Sequence, residues 1–160
     1  MIRLGKLTDY GLLLMGEIAR SPRTELHTAR DLAAKCKLPL PTVSKVLKTL
    51  LQSRLLVSHR GTRGGYSLVR EPRQISITEI ISALEGPLAL TECSMDVSGL
   101  CDLEPSCPMK DNQRIINQVI HGALAKVMLS DLIRPMLVTA VRDRTSGLVS
   151  ITSLAPGRMQ

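Results

Sequence analysis

Three cysteines, Cys93, Cys101 and Cys107, fall within fifteen residues of one another in the spacing Cys-x7-Cys-x5-Cys. Deprotonated thiols are soft donors, and soft donors select zinc, copper(I) or an iron–sulfur cluster. The spacing matches neither the Cys-x2-Cys pair of a zinc ribbon nor the tight run of a ferredoxin, so spacing alone does not choose among them. Context adds weight. Glu92, Asp96, Asp102, Glu104 and Asp111 stand close by and could add an oxygen ligand. The thiols lie in a loop of about twenty residues after Gly86-Pro87, longer than a compact domain keeps without a use. The alternative is three free loop cysteines. Cys36 stands apart, in a helical segment, and reads as a small buried hydrophobe.

A second chemistry lies in the charge. The chain carries 21 Lys+Arg against 14 Asp+Glu, a net charge of +7. Residues 1–73 hold 14 of the basic and 5 of the acidic residues, and residues 74–160 hold 7 and 9. The basic character therefore belongs to the first half, which points to a polyanion such as nucleic acid rather than to a merely solvated face. With two tyrosines and no Trp or Phe, the chain lacks the aromatic faces of base-stacking RNA platforms and single-strand channels. No apolar run approaches the roughly 18 residues of a membrane span. The apolar stretch at Leu12 to Met15 is flanked by Asp9 and Glu17, with no small-residue cleavage site, so it does not read as a secretory leader. Clustered cysteines without such a leader suit the reducing cytoplasm, where they serve metal or redox roles more often than disulfides.

The elements that must position these groups follow from periodicity. Leu7 to Arg20 places Leu7, Leu12, Met15, Ile18 and Ala19 near one helical face, with Tyr10 beside Leu12 and Thr8 as a candidate N-cap. Thr28 caps a second helix running to Lys35, with Leu32 and Ala33 inward. Leu38-Pro39-Leu40-Pro41 makes a short rigid connection, and Pro41 suits the first turn of a third helix. There Val43, Val46, Leu47, Leu50 and Leu51 form the buried stripe. Thr42, Ser44, Lys45, Lys48 and Thr49 face away from it. Two helices, a tight turn and a polar-faced third helix describe a helix-turn-helix, and equally any amphipathic three-helix bundle.

The segment after the third helix favours the helix-turn-helix. Leu55 to Arg60 and Tyr66 to Val69 read as two strands around a glycine-rich basic tip, Gly61 to Gly65. A hairpin directly after such a helix is the wing of a winged helix. Arg60 and Arg63 at its tip could reach phosphates or a minor groove, and Gly64 and Gly65 permit positive φ and close backbone approach. His59 reads as a surface or phosphate-contacting residue. Residues 74–85 read as a helix with Ile77, Ile80, Ile81 and Leu84 inward, stopped by Gly86-Pro87. Residues 111–133 read as one long helix whose band, from Ile115 to Ile133, is too broad for one small domain to cover. A partner helix across a homodimer would bury it. The fold class expected is mainly α with a small β-hairpin. The organisation is a winged helix-turn-helix over 1–86, a cysteine loop over 87–110, a dimerisation helix over 111–134 and a loosely ordered tail over 135–160.

Several stretches then match a known pattern in order. Leu7-Thr8-Asp9-Tyr10-Gly11 opens the first helix and Leu40-Pro41-Thr42-Val43-Ser44-Lys45 the third. Arg60-Gly61 and Gly64-Gly65-Tyr66 form the wing. Residues 75–86 read ISITEIISALEG, and Leu90-Thr91-Glu92-Cys93 leads to Cys101 and Cys107. Over residues 1–134 the chain resembles the IscR/NsrR-type winged-helix regulators of the Rrf-two family, most closely the group of SUF-system iron–sulfur assembly regulators.

The resemblance implies a dimeric transcription regulator, not an enzyme. It implies a [2Fe-2S] or [4Fe-4S] cluster on Cys93, Cys101 and Cys107, with operator binding at cluster-assembly genes following cluster status. It sets Thr42, Ser44 and Lys45 against bases, and Arg60 and Arg63 in the wing; Lys48 and Gly64 complete the DNA-binding set expected here. The chain departs from the pattern in places. Where IscR-type members carry a histidine ligand three residues after the last cysteine, this chain has Lys110, which cannot ligate while protonated. The first cysteine gap is longer than in IscR, and Ser44 replaces an acidic residue found in some recognition helices. His121 stands about ten residues into the long helix, roughly 15 Å from its start, too far to serve within its own chain. In NsrR-type relatives the aspartate matching Asp9 reaches the cluster of the other subunit, so Asp9 is the fourth ligand this resemblance suggests, with Glu104 and Asp111 as local alternatives. A zinc-stabilised winged helix and, from another class, an iron–sulfur electron carrier are the rival readings. The electron carrier would have no use for Lys45, Lys48 and an arginine-bearing wing. No phosphate loop, dinucleotide fingerprint or Cys/His pair suggests an enzyme.

Overall fold

Helices α1 (Lys6–Arg20), α2 (Ala29–Cys36) and α3 (Leu40–Gln52) bury one apolar stripe each against the other two. Leu14, Met15 and Ile18 meet Leu32, Val43, Leu47 and Leu50 in the core. The computed structural model describes residues 4–61, 64–95 and 100–133. Thr28 caps α2 as its residue type predicts, its hydroxyl accepting from the Asp31 N–H at 3.1 Å. Pro41 stands in the first turn of α3, where its missing N–H costs nothing.

Thr8 does something other than cap α1. The cap position is Gly5, and Thr8 is a fully buried residue inside the helix. Its hydroxyl donates to the Glu85 carboxylate, which also accepts the Gly5 N–H at 2.6 Å. The start of α1 is thereby tied to the end of α4 (Ile77–Glu85). Ser76 and Glu79 cap α4 reciprocally: Glu79 N–H donates to Ser76 Oγ at 3.2 Å, and Ser76 N–H to Glu79 Oε2 at 2.9 Å. Gly86 ends it at φ +89°.

Strands β1 (Leu56–His59) and β2 (Gly65–Leu68) pair antiparallel with Leu56 opposite Leu68 and His59 opposite Gly65. A bridge not expected from the sequence extends this wing. His27 N–H donates to Tyr66 O at 3.1 Å and Tyr66 N–H to His27 O at 2.8 Å, so the residue before the α2 cap acts as a one-residue third strand.

The single helix expected over residues 111–133 is two, α5 (Lys110–Ala125) and α6 (Leu129–Leu132). The break has a tertiary cause. Ile77 N–H donates to Val127 O at 2.9 Å and Leu129 N–H to Ile75 O at 2.8 Å, so residues 127–129 satisfy the backbone on either side of the α4 cap. Asp131 then accepts the Met128 N–H at 2.8 Å to restart the helix. Leu129 is carried into the core and fully buried. The tail expected over 135–160 lies outside the described residues.

Candidate DNA interface and cysteine loop

On α3 the residue types sort as their spacing predicts. Val43, Val46, Leu47 and Leu50 are buried, whereas Ser44, Lys45 and Lys48 are exposed and Thr42 is half-buried. Lys45 and Lys48 share a face, three residues apart. None of these four makes an ion pair among the described residues. A short polar group and two cations stand clear of the core on a helix narrow enough to enter a major groove about 12 Å wide.

The wing follows α3 directly. Arg60 is exposed at its tip, and Arg63 lies outside the described residues. His59 Nε2 lies 3.1 Å from Ser67 Oγ across the hairpin, so its ring braces the strands. The glycines meet the expected close backbone approach but not the expected torsion. Positive φ falls on Gly61, at +115°, and not on Gly64 or Gly65. Gly64 and Gly65 are there for space. A Cβ on Gly64 would stand 2.4 Å from the His59 carbonyl oxygen, and one on Gly65 would stand 2.9 Å from that of His27. Gly64 thus shapes the tip through its lack of a side chain. The glycine pair in the sequence signalled a tight turn. Nothing in the sequence signalled the His27 bridge that Gly65 accommodates.

The cysteine loop leaves Gly86 and returns to α5. Leu90 N–H donates to Asn117 Oδ1 at 3.1 Å, and the turn Glu92–Ser94, which contains Cys93, packs against α5. Asn117 was not foreseen as an anchor; one asparagine in a helix gives no signal of it. Cys107 follows the turn Glu104–Ser106 and its carbonyl accepts the Lys110 N–H at 3.4 Å, at the start of α5. Cys101 and Cys107 are half-buried free thiols; the side chain of Cys93 lies outside the described set. Cys36 is a half-buried free thiol on α2, remote in sequence from the loop, and burial, with Glu17 nearby, pushes its pKa up. Asp9 is exposed in the first turn of α1, next to Thr8 and its link to Glu85. Among the described side chains of this one chain, no three His, Cys, Asp or Glu gather around a common point. The donor set nevertheless suits a soft metal centre: three cysteines on one loop, with both described thiols free and partly accessible.

Along α5, Ile115, Ile116 and Val119 are each between 46% and 58% exposed, and no residue of the helix is buried. Among the described residues, no helix is long and apolar enough to cross a membrane.

Comparison with known proteins matches this architecture. Residues 4–135 match the Rrf2 family, described as iron-dependent transcriptional regulators. The chain is 31% identical to the HTH-type transcriptional regulator NsrR of Shouchella clausii over 124 residues, 78% of each chain. Among solved structures it is similar to CymR, the global cysteine regulator of B. subtilis, at 26% identity and a TM-score of 0.66. That match covers 83% of this chain and 97% of CymR. The fold is also that of T. potens IscR, at a TM-score of 0.63 and 24% identity, covering 82% and 86%.

Proposed function

The chain belongs to the Rrf2 family of transcriptional regulators, and on that premise we propose that it is a cytoplasmic, homodimeric regulator whose operator binding is controlled by an iron–sulfur cluster on Cys93, Cys101 and Cys107. The observation that carries this reading is the chain's own pairing of two features. A winged helix-turn-helix with Ser44, Lys45, Lys48 and Arg60 exposed is followed by a three-cysteine loop anchored on α5. Family membership alone would not require a cluster, since one structural neighbour is a cysteine regulator.

In this reading residues 1–86 bind DNA, residues 87–110 hold the cluster and residues 111–134 pair the subunits. Thr42, Ser44 and Lys45 read base edges, while Lys48, Arg60, Arg63 and the Gly64 backbone meet phosphate or the minor groove. When bound, the cluster supplies a link among its ligands that iron supply and oxidants can make or break. Asp9 is the fourth ligand, offered to the partner subunit's loop, so loss of that link is felt in subunit geometry and half-site spacing. The Thr8–Glu85 contact supports this role for Asp9, because it fixes the start of α1 beside the residue from which the loop departs. Genes for cluster assembly of the SUF type are the targets that fit such a sensor.

The test is purification without oxygen, with visible absorption, iron and acid-labile sulfide measured, followed by DNA binding with and without the cluster. A brown protein that loses its colour in Cys93→Ala, Cys101→Ala and Cys107→Ala, but not in Cys36→Ala, is expected. A colourless protein holding stoichiometric zinc would overturn the sensing role and leave a zinc-stabilised DNA-binding protein.

A further inference from the structure

Among the described residues, the two non-glycine residues with left-handed backbone are Lys37, at φ +54°, and Arg54, at φ +55°. They occupy equivalent places. Lys37 follows α2: its N–H donates to Ala34 O, and the next N–H, from Leu38, reaches back to Ala33 O at 3.0 Å. Arg54 follows α3: its N–H donates to Leu51 O at 3.1 Å, and the Leu55 N–H reaches Leu50 O at 3.0 Å. This is the pattern that closes a helix through a left-handed residue, a place where glycine dominates and asparagine comes next because a Cβ is penalised there. This chain has a lysine and an arginine instead. A cation near a helix C-terminus gains from the dipole, but at an exposed site by less than the left-handed backbone costs. Both side chains are exposed, and neither makes an ion pair among the described residues. Nothing among the described residues accounts for these residue types.

Their placement does. Lys37 stands three residues before α3 and Arg54 two residues after it. A helix of 13 residues is about 20 Å long, and a major groove is about 12 Å wide. With α3 set across the groove, two cations beyond its ends overshoot the groove floor and fall toward the phosphate strands. We infer that Lys37 and Arg54 are phosphate-contacting residues that bracket α3 on the DNA backbone. The inference rests on α3 being the helix that meets DNA.

The experiment uses the full chain and a duplex of random sequence, because phosphate contacts do not depend on sequence. Lys37→Gly and Arg54→Gly suit the left-handed backbone, so each is expected to keep or raise the thermal midpoint. Each should nonetheless weaken binding and make the slope of log affinity against log salt shallower by about 0.9. Lys37→Arg and Arg54→Lys should retain the slope. Unchanged slopes in the glycine variants, with Lys48→Ala and Arg60→Ala weakening binding, would overturn the inference while leaving the DNA-binding reading intact. A loss of binding that accompanies a lowered midpoint would assign both residues to folding and overturn it equally. If the parent chain binds neither this duplex nor a library of selected sequences, the reading of α3 fails, and the inference with it.

Discussion

Lys45 and Arg60 are both exposed cations, yet they stand on different elements and are expected to fail differently. Arg60 follows β1 at the wing tip, and the proposed function sets it against phosphate or the minor groove. Arg60→Ala should weaken binding to all sequences and reduce the salt slope by about one. Lys45 stands on the exposed face of α3, so Lys45→Ala should change sequence preference more than non-specific affinity. Competition binding against a randomised site separates the two, and a uniform loss for Lys45→Ala would move it to the backbone class. Glu79 shows residue chemistry serving the fold alone. Burial pushes its carboxyl up, but hydrogen bonds from Arg70, at 2.5 Å, and from Ser76 outweigh this and hold its pKa below the ordinary value. A carboxylate depressed in the folded state stabilises above its unfolded pKa, and that contribution is lost as pH falls through the folded value. Glu79→Gln should therefore lower stability at neutral pH and lose less of it on acidification. Parallel acid-unfolding curves for the two proteins would contradict this.

Elements were legible in the sequence where their causes are local. The stripes of α2 and α3, the Thr28 cap, Pro41 at the helix start and the Gly86 stop each act within a few residues and stand where periodicity and residue type put them, while on α1 the fully buried Leu14 takes the place expected of the half-buried Leu12. Causes that cross the chain were not legible. The break between α5 and α6 comes from the backbone of Ile75 to Ile77, some fifty residues away. The third strand of the wing comes from His27, and of the two roles read for the Gly64–Gly65 pair, close backbone approach holds while positive φ falls on Gly61 instead. Two predictions belong here. Leu129 is fully buried beneath the break, so Leu129→Ala should cost about 2–5 kcal/mol, measured by denaturant unfolding. A value typical of a surface site would mean that α6 is not part of the core. Gly65→Ala would press a methyl against the His27 backbone at 2.9–3.1 Å, where backbone cannot yield as a side-chain end can. A loss of about 1–3 kcal/mol is expected, together with a weakened wing contact to DNA.

Across the whole molecule, the cysteine loop and α5 form one connected unit whose helix leaves an apolar face exposed among the described residues. Asn117 holds Leu90, Cys107 leads into the first turn of α5, and the same helix leaves Ile115, Ile116 and Val119 mostly exposed. The site is legible to the same degree. The three cysteines and the basic face can be read from residue types and spacing. How the ligands come together cannot, because on the present reading one of them, Asp9, belongs to a different subunit. That reading makes the dimer and the cluster stand or fall in a fixed order. Ile116→Glu with Val119→Glu places two carboxylates at exposed apolar positions of α5, outside the buried core. The double variant should fold, run as a monomer by light scattering, and lose operator affinity because two half-sites are no longer read together. It should also lose cluster stability, since the partner's Asp9 is no longer presented. Asp9→Ala should show the reverse partition: a dimer that retains its fold but carries a cluster with an altered spectrum. A double variant that remains dimeric would remove α5 from the subunit interface. A monomer with a parental cluster spectrum would place the fourth ligand within the chain, where Asp111 and Glu104 would be the carboxylates to replace next.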